Sequence, residues 1–213
     1  MIKKYYRNKL TENKKKILYI NKKYIINHNN KYIYLNNLFD NNNEIIIEIG
    51  FGNGNFFVKN AELNKNINFI GIDFYEPGLA YCLDLINKKK IDNIKIINYD
   101  INEIIKKLAP KNFIYKIIIL FPDPWEKKKH NKRRIINNEF LLNSYYLLKK
   151  NTILNIVTDS EIYKNFILNI IIDSKLFILK NEFIYKNSKY FTKFENKAVK
   201  SSKMIWDMKF YKK

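Results

Sequence analysis

Three of the chain's five glycines, Gly50, Gly52 and Gly54, fall in the single run Glu48-Ile-Gly-Phe-Gly-Asn-Gly, and Gly71 and Gly78 follow soon after. A chain of this length with average composition would carry roughly 15. Glycine reaches the left-handed backbone region without penalty and lets another group approach the main chain closely. A segment that monopolises glycine therefore needs a backbone other residues cannot supply. Ile45, Ile46 and Ile47 lead into the first glycine and read as a buried strand. A glycine turn at the carboxyl end of such a strand is where open parallel sheets bind nucleotide-like ligands.

The rest of the chain repeats the strand-then-helix rhythm. Strand-like runs at residues 44–49, 68–73, 94–99, 115–121 and 152–158 alternate with helix-like runs near 55–63, 77–88, 101–108, 139–148 and 160–172. That alternation predicts an α/β fold: a Rossmann-like, mostly parallel twisted sheet with helices on both faces. Runs at 176–180, 183–185 and 205–211 read as strands without intervening helices and predict an antiparallel C-terminal edge strand. Residues 1–43, rich in Lys, Asn and Tyr, read as a basic N-terminal extension, flexible without RNA; residues 44–213 read as one domain.

Composition narrows the partners. Forty basic against 20 acidic residues give +20, which favours an anionic partner such as RNA. Only Arg7, Arg133 and Arg134 are arginines, and Lys, Asn, Ile and Tyr abound, as in proteins of AT-rich genomes. The placement of basic residues is therefore more informative than their number. No apolar run spans a bilayer, and no apolar leader follows Met1. The lone Cys82, set among Leu79, Ala80, Leu83 and Ile86, predicts a buried helical position and excludes an internal disulfide. A cytoplasmic protein without membrane attachment is expected. One cysteine and two distant histidines, His28 and His130, make no zinc ligand set, so no metal is expected. No apolar interface stripe stands out; a monomer is expected, with a homodimer as the alternative.

The glycine run is GxGxG, whereas the dinucleotide fingerprint places its third glycine three residues after the second. An acidic residue, Glu48, also precedes it, and a carboxylate would repel a pyrophosphate at a helix amino end. S-adenosylmethionine carries an ammonium and a sulfonium and no phosphate, and suits Glu48. Asp73 lies 19 residues beyond Gly54, the spacing of a carboxylate that accepts from ribose hydroxyls. Asp100 follows the third strand and would reach an adenine edge. Each alone is an ordinary turn residue; as an ordered set with the glycines they predict a nucleoside cofactor site.

The fourth strand runs into Phe121-Pro-Asp-Pro-Trp125, where two prolines hold Asp123 on a stiff turn. The basic run from Lys127 to Arg134, beside that turn, reads as a phosphate-binding strip that includes His130.

With these residues in view, the chain resembles the bacterial tRNA (guanine-N7)-methyltransferases, a class I methyltransferase group. The likeness is carried by EIGFGNGNF (48–56), GIDFYEPG (71–78), FPDPWEKKKHNKRR (121–134), TDSEIY (158–163), TKFE (192–195) and WD (206–207), and covers about residues 44–211. YYRNKLTENKK (5–15) is a fainter echo of the family's amino-terminal arm. The resemblance implies methyl transfer from S-adenosylmethionine to N7 of a guanosine in the tRNA variable loop, position 46 by tRNA convention. It implies cofactor contacts at Glu48, Gly50, Gly52, Gly54, Asp73, Asp100 and Asp123, with Asp123 also catalytic. Lys127, Asp159, Thr192, Lys193, Phe194 and Glu195 would meet guanosine or tRNA. Between TKFE and WD, where the family usually has glycines and an arginine, this chain reads Asn196-Lys-Ala-Val-Lys-Ser-Ser-Lys-Met. Ser160 stands where Trp is common, and Asp73 where Glu is more usual.

Guanine N7 presents a lone pair and needs no deprotonation, which agrees with the lack of a histidine in the carboxylate set. Two other functions fit parts of the pattern: methylation of an exocyclic amine of a nucleobase, and RNA binding with a vestigial cofactor site. TKFE by itself is an ordinary strand or loop fragment, and TDSE by itself a helix cap.

Overall fold

The computed structural model describes residues 11–27, 29 and 31–213. Residues 5–10 of the amino-terminal echo and His28 lie outside them. In chain order the elements are α1 (Glu12–Ile20), β1 (Ile33–Tyr34), β2 (Glu44–Ile49), α2 (Asn55–Leu63), β3 (Ile67–Ile72), α3 (Glu76–Lys89), β4 (Ile94–Ile97) and α4 (Ile101–Ile104). Then follow β5 (Leu108–Ala109), β6 (Ile114–Leu120), α5 (Asn138–Leu147), β7 (Leu148–Thr158), α6 (Glu161–Ser174), β8 (Phe177–Tyr185), α7 (Lys193–Lys200) and β9 (Ile205–Lys212).

The main sheet has seven strands in the order β4-β3-β2-β6-β7-β9-β8. The five strands from β4 to β7 are parallel, and β9 runs antiparallel between β7 and β8. Strand alternation sends successive isoleucines to opposite faces. Ile45, Ile47, Ile70, Ile117 and Ile119 pack under α5 and α6 with Phe140, Leu141 and Ile167. Ile46, Phe69, Ile94 and Ile118 pack under α2 and α3 with Phe57, Val58, Leu83 and Ile86. Each such side chain contributes about 1.5–3 kcal/mol by leaving water, so two continuous isoleucine layers hold the sheet rigid beneath its loops.

Two sequence expectations need correction. The tail is not helix-free: α7 separates β8 from β9. Its start is a capping box, Thr192 to Glu195, in which the Thr192 hydroxyl accepts from the Glu195 N–H at 3.0 Å. The run at 101–108 is not one helix: α4 tightens into a 3-10 turn at Ile105–Lys107, and Leu108 enters β5, which pairs with β1. Within residues 11–43, α1 lies against α3, Ile25 bridges to Ile96, and Leu35 is fully buried in the core. Low periodicity hid this packing, because single apolar residues rather than a repeating stripe make the contacts.

The glycine loop is welded to α3. Gly54 caps α2 at φ 76°, and a Cβ there would overlap the Cys82 sulfur. Cys82 is buried, as expected. Gly54→Ala should destabilise the protein by at least about 2 kcal/mol in urea unfolding, through overpacking and left-handed strain. An unchanged midpoint would contradict this packing.

Candidate active site

β2 lies between β3 and β6, and the chain leaves it toward β3 and β4 on one side and returns through β6 on the other. Ligands bind open α/β sheets at such a switch point, above the carboxyl strand ends. The loops after β2, β3, β4 and β6 all rise from this edge, and they carry Gly50 to Gly54, Asp73, Asp100 and Asp123.

Glu48 is one residue from the end of β2, opposite Gly71 of β3 and Ile118 of β6. It is buried, and its Oε2 has no hydrogen-bond partner. Burial, with the nearby Asp73 charge adding to it, pushes its pKa up to about 8. Asp73 stitches two loops together: Oδ2 accepts from Gly52 N at 2.8 Å and Oδ1 from Tyr75 N at 2.9 Å. Burial raises its pKa against those backbone bonds. No atom lies within 4 Å of where a Cβ on Gly50 or Gly52 would sit, so the loop faces open space. A Cβ on Gly78 would overlap the Gly52 carbonyl oxygen, so α3 seats directly against the loop. Asp100, three residues beyond β4, caps α4 by accepting from Asn102 N at 2.9 Å.

The turn after β6 is pinned at both ends. Phe121 and Trp125, which bracket Pro122-Asp123-Pro124, both have positive φ, 52° and 41°, uncommon for residues with side chains. Arg134 holds the turn from below: Nε donates to the Pro124 carbonyl at 2.9 Å, and the guanidinium stacks 4.4 Å from the Phe166 ring centre. This corrects the phosphate-strip reading for Arg134, which is 5% exposed. Arg133 stacks over Trp125 at 5.0 Å, and His130 meets the Trp125 ring edge-on. Lys127 is exposed at the start of the strip. Asp123 sits at the rim of the turn, with enough protein around it for burial to raise its pKa.

A cavity of about 180 Å³ opens beside Asp123. Pro122 and Asp123 form one wall, Asp159 at the end of β7 another, and α7 contributes Phe194 and Lys197. Phe194 is 58% exposed, an aromatic face with little to cover it. Asp159 and Phe194 thus line the same cavity as Asp123.

The other proposed substrate residues do not line this cavity. Thr192 is the helix cap and Lys193 points out from the first turn of α7. Glu195 is fully buried. Its carboxylate accepts from the backbone N–H groups of Lys189, Tyr190 and Phe191 at 2.6–3.0 Å and from the Tyr185 and Ser188 hydroxyls. It ties residues 188–191 to α7 and presents no free edge to a base. Asp207 of the WD pair is also internal: it accepts from Asn155, Lys189 and Tyr190 at 2.6–2.7 Å. Burial raises its pKa, and those three bonds outweigh burial and bring it below the usual carboxylate range.

Lys197, Ser201 and Lys203 line the cavity and were missed. Phe194, Lys197, Ala198 and Ser201 are spaced i, i+3, i+4, i+7, one helical face. The capping box Thr192–Glu195 was the signal that would have exposed it.

The fold and crevice define a class I methyltransferase architecture. A solved structure described as an antibiotic-related methyltransferase superposes with a TM-score of 0.58 at 21% identity, covering 80% of this chain and 88% of that one. A family model described as "Putative methyltransferase" matches residues 42–208. The tRNA (guanine-N(7)-)-methyltransferase of Buchnera aphidicola subsp. Baizongia pistaciae (strain Bp) is 40% identical over 211 residues, 95% of this chain and 86% of its own length. That of Buchnera aphidicola subsp. Schizaphis graminum (strain Sg) is 41% identical over 81% of this chain and 74% of its own. The chain belongs to the tRNA (guanine-N7)-methyltransferase family. Among the described residues, no helix is long and apolar enough to cross a membrane, and no cluster of His, Cys, Asp and Glu could hold a metal ion.

Because the folded-state pKa of Glu48 lies above its unfolded value, the ligand-free protein is most stable when Glu48 is protonated. It loses that stability as pH rises from about 4.5 through about 8. Glu48→Gln should flatten this part of the stability–pH curve in denaturant titrations. A variant curve parallel to that of the parent would rule out a buried, unpartnered carboxyl.

Proposed function

We propose that this protein transfers a methyl group from S-adenosylmethionine to N7 of a guanosine in the variable loop of tRNA. The observation that carries this reading is the pair of sites at one switch point: a glycine loop beside the buried Glu48 and half-buried Asp73, and an adjoining cavity walled by Asp123, Asp159 and Phe194. The names of the relatives support the same reaction.

The residues present fit the cofactor. The open space over Gly50 and Gly52 would admit a ligand against the main chain, and the unpartnered Oε2 of Glu48 calls for a donor or a cation. Glu48 and the glycine loop would hold the amino-acid part, Asp73 the ribose and Asp100 the adenine side. S-adenosylmethionine, when bound, supplies the methyl group on a cationic sulfur.

The protein's own part is positioning and charge. N7 attacks through an existing lone pair, so no general base is needed. His130 is accordingly engaged with Trp125, away from the cavity. Holding base and donor in reach accounts for roughly 7–11 kcal/mol of the barrier in well-oriented systems. Methylated N7 leaves the purine cationic, and the Asp123 carboxylate, fixed on its turn, stabilises that charge. Asp159 accepts from the N1–H and N2–H of guanine, which adenine lacks at N1. Phe194 offers a stacking face for the base. The exposed Lys127, Lys129 and Lys132 supply phosphate contacts.

Unmodified tRNA transcripts with and without a variable-loop guanosine, incubated with the methyl donor and then treated with borohydride and aniline, test the reaction. Strand scission at that guanosine alone is expected; intact strands or scission elsewhere would refute it. Asp123→Ala should lower kcat by about 10²–10³-fold and leave tRNA affinity, measured by filter binding, unchanged.

A further inference from the structure

Lys203 lies in the segment that departs from the family pattern. α7 ends at Lys200, and the chain then closes on itself: Ser201 N bonds Lys197 O, Ser202 N bonds Val199 O at 3.0 Å, and Lys203 N bonds Ala198 O at 3.0 Å. This is a left-handed helix cap. Its turning residue, Ser202, has φ 53°, a conformation free to glycine and costly to serine. The cap swings Lys203 back over the cavity, where Nζ meets Asp159 Oδ2 at 3.0 Å. Both residues line the cavity that holds Asp123 and Phe194.

Stability does not account for the pair. Its side chains are 54% and 29% exposed, and exposed ion pairs add little. Its effect is geometric. The terminal torsion of an aspartate is broad unless a donor fixes one oxygen. With Oδ2 held, the carboxylate plane is set. Each carboxylate oxygen keeps a second acceptor position, so a base offering two parallel N–H groups can still bind both.

We propose that Lys203 is a positioning residue for base recognition: it fixes the Asp159 carboxylate that reads the N1–H and N2–H donors of guanine. The proposal rests on the guanine reading of this cavity. It predicts that Lys203 governs selectivity for the 2-amino group and not merely tRNA affinity. A phosphate contact would lower binding of all substrates alike.

The test compares tRNA transcripts carrying guanosine or inosine at the target position; inosine keeps N7 and N1–H and lacks the 2-amino group. The parent protein should prefer guanosine in kcat/KM on the order of tenfold or more, because inosine leaves a charged acceptor unpaired. Lys203→Met should cut that preference at least about threefold, and Lys203→Arg should restore it. Unchanged binding of S-adenosylhomocysteine and an unchanged melting temperature identify an intact fold in both variants. A preference unaltered in Lys203→Met overturns the role of Lys203 and leaves the guanine reading standing. Equal use of guanosine and inosine by the parent overturns the Asp159 contact and this proposal together. No turnover of either substrate by the parent ends both this inference and the functional reading.

Discussion

The register of β2 against its two neighbours governs the whole molecule. Glu48 lies opposite Gly71 on one side and Ile118 on the other. One residue of slippage in this central strand would exchange its two faces and take both isoleucine layers apart. Correctly registered, β2 delivers the glycine loop beside the loop of β3 and the proline turn of β6. The proposed cofactor and base sites both stand on that adjacency. The acids need not be near in sequence, because four parallel strand ends already bring them to one rim.

The rim carries several destabilising features. Glu48 is buried with an unpartnered oxygen, Phe121 and Trp125 hold positive φ, and Ser202 does the same at the end of α7. Buried polar groups without partners and strained backbone concentrate where ligands bind. The isoleucine layers beneath offset these costs. The two halves of the rim differ in character: the glycine loop is held by the bond from Gly52 N–H to the Asp73 carboxylate, whereas the cavity wall of α7 depends on loop 188–191, gathered by the single carboxylate of Glu195.

The sheet was legible in the sequence because its signal is dense. β2, β3, β4 and β6 are short apolar runs closed by Gly, Asp or Pro, and burial on both faces leaves little else for such runs to do. Asp73, Asp100 and Asp123 were legible for the same reason, since each follows a strand, and Glu48 because it stands in the run that leads into the glycines. α7 was not, because Lys193-Phe-Glu-Asn-Lys-Ala-Val-Lys is mostly polar and only Ala198 and Glu195 are buried along it. Its boundary signal, the capping box, was overshadowed by a possible role of the same four residues in substrate contact. Glu195 shows why such a motif reads two ways: a charged side chain suggests a ligand, and here its partners are the backbone N–H groups of the preceding turn.

Arg133 and Arg134 give the basic composition a different meaning. In a chain whose positive charge is almost all lysine, both described arginines hold the guanidinium over an aromatic ring, Trp125 for Arg133 and Phe166 for Arg134, and Arg134 also bonds the main chain of the Phe121–Trp125 turn. A lysine ammonium is a point charge and can reproduce neither the planar stacking nor the fork. A lysine in place of Arg134 would lose both the bond to the turn and the ring contact. The guanidinium groups at this turn mark architecture, and their placement says more than the count of positive charges.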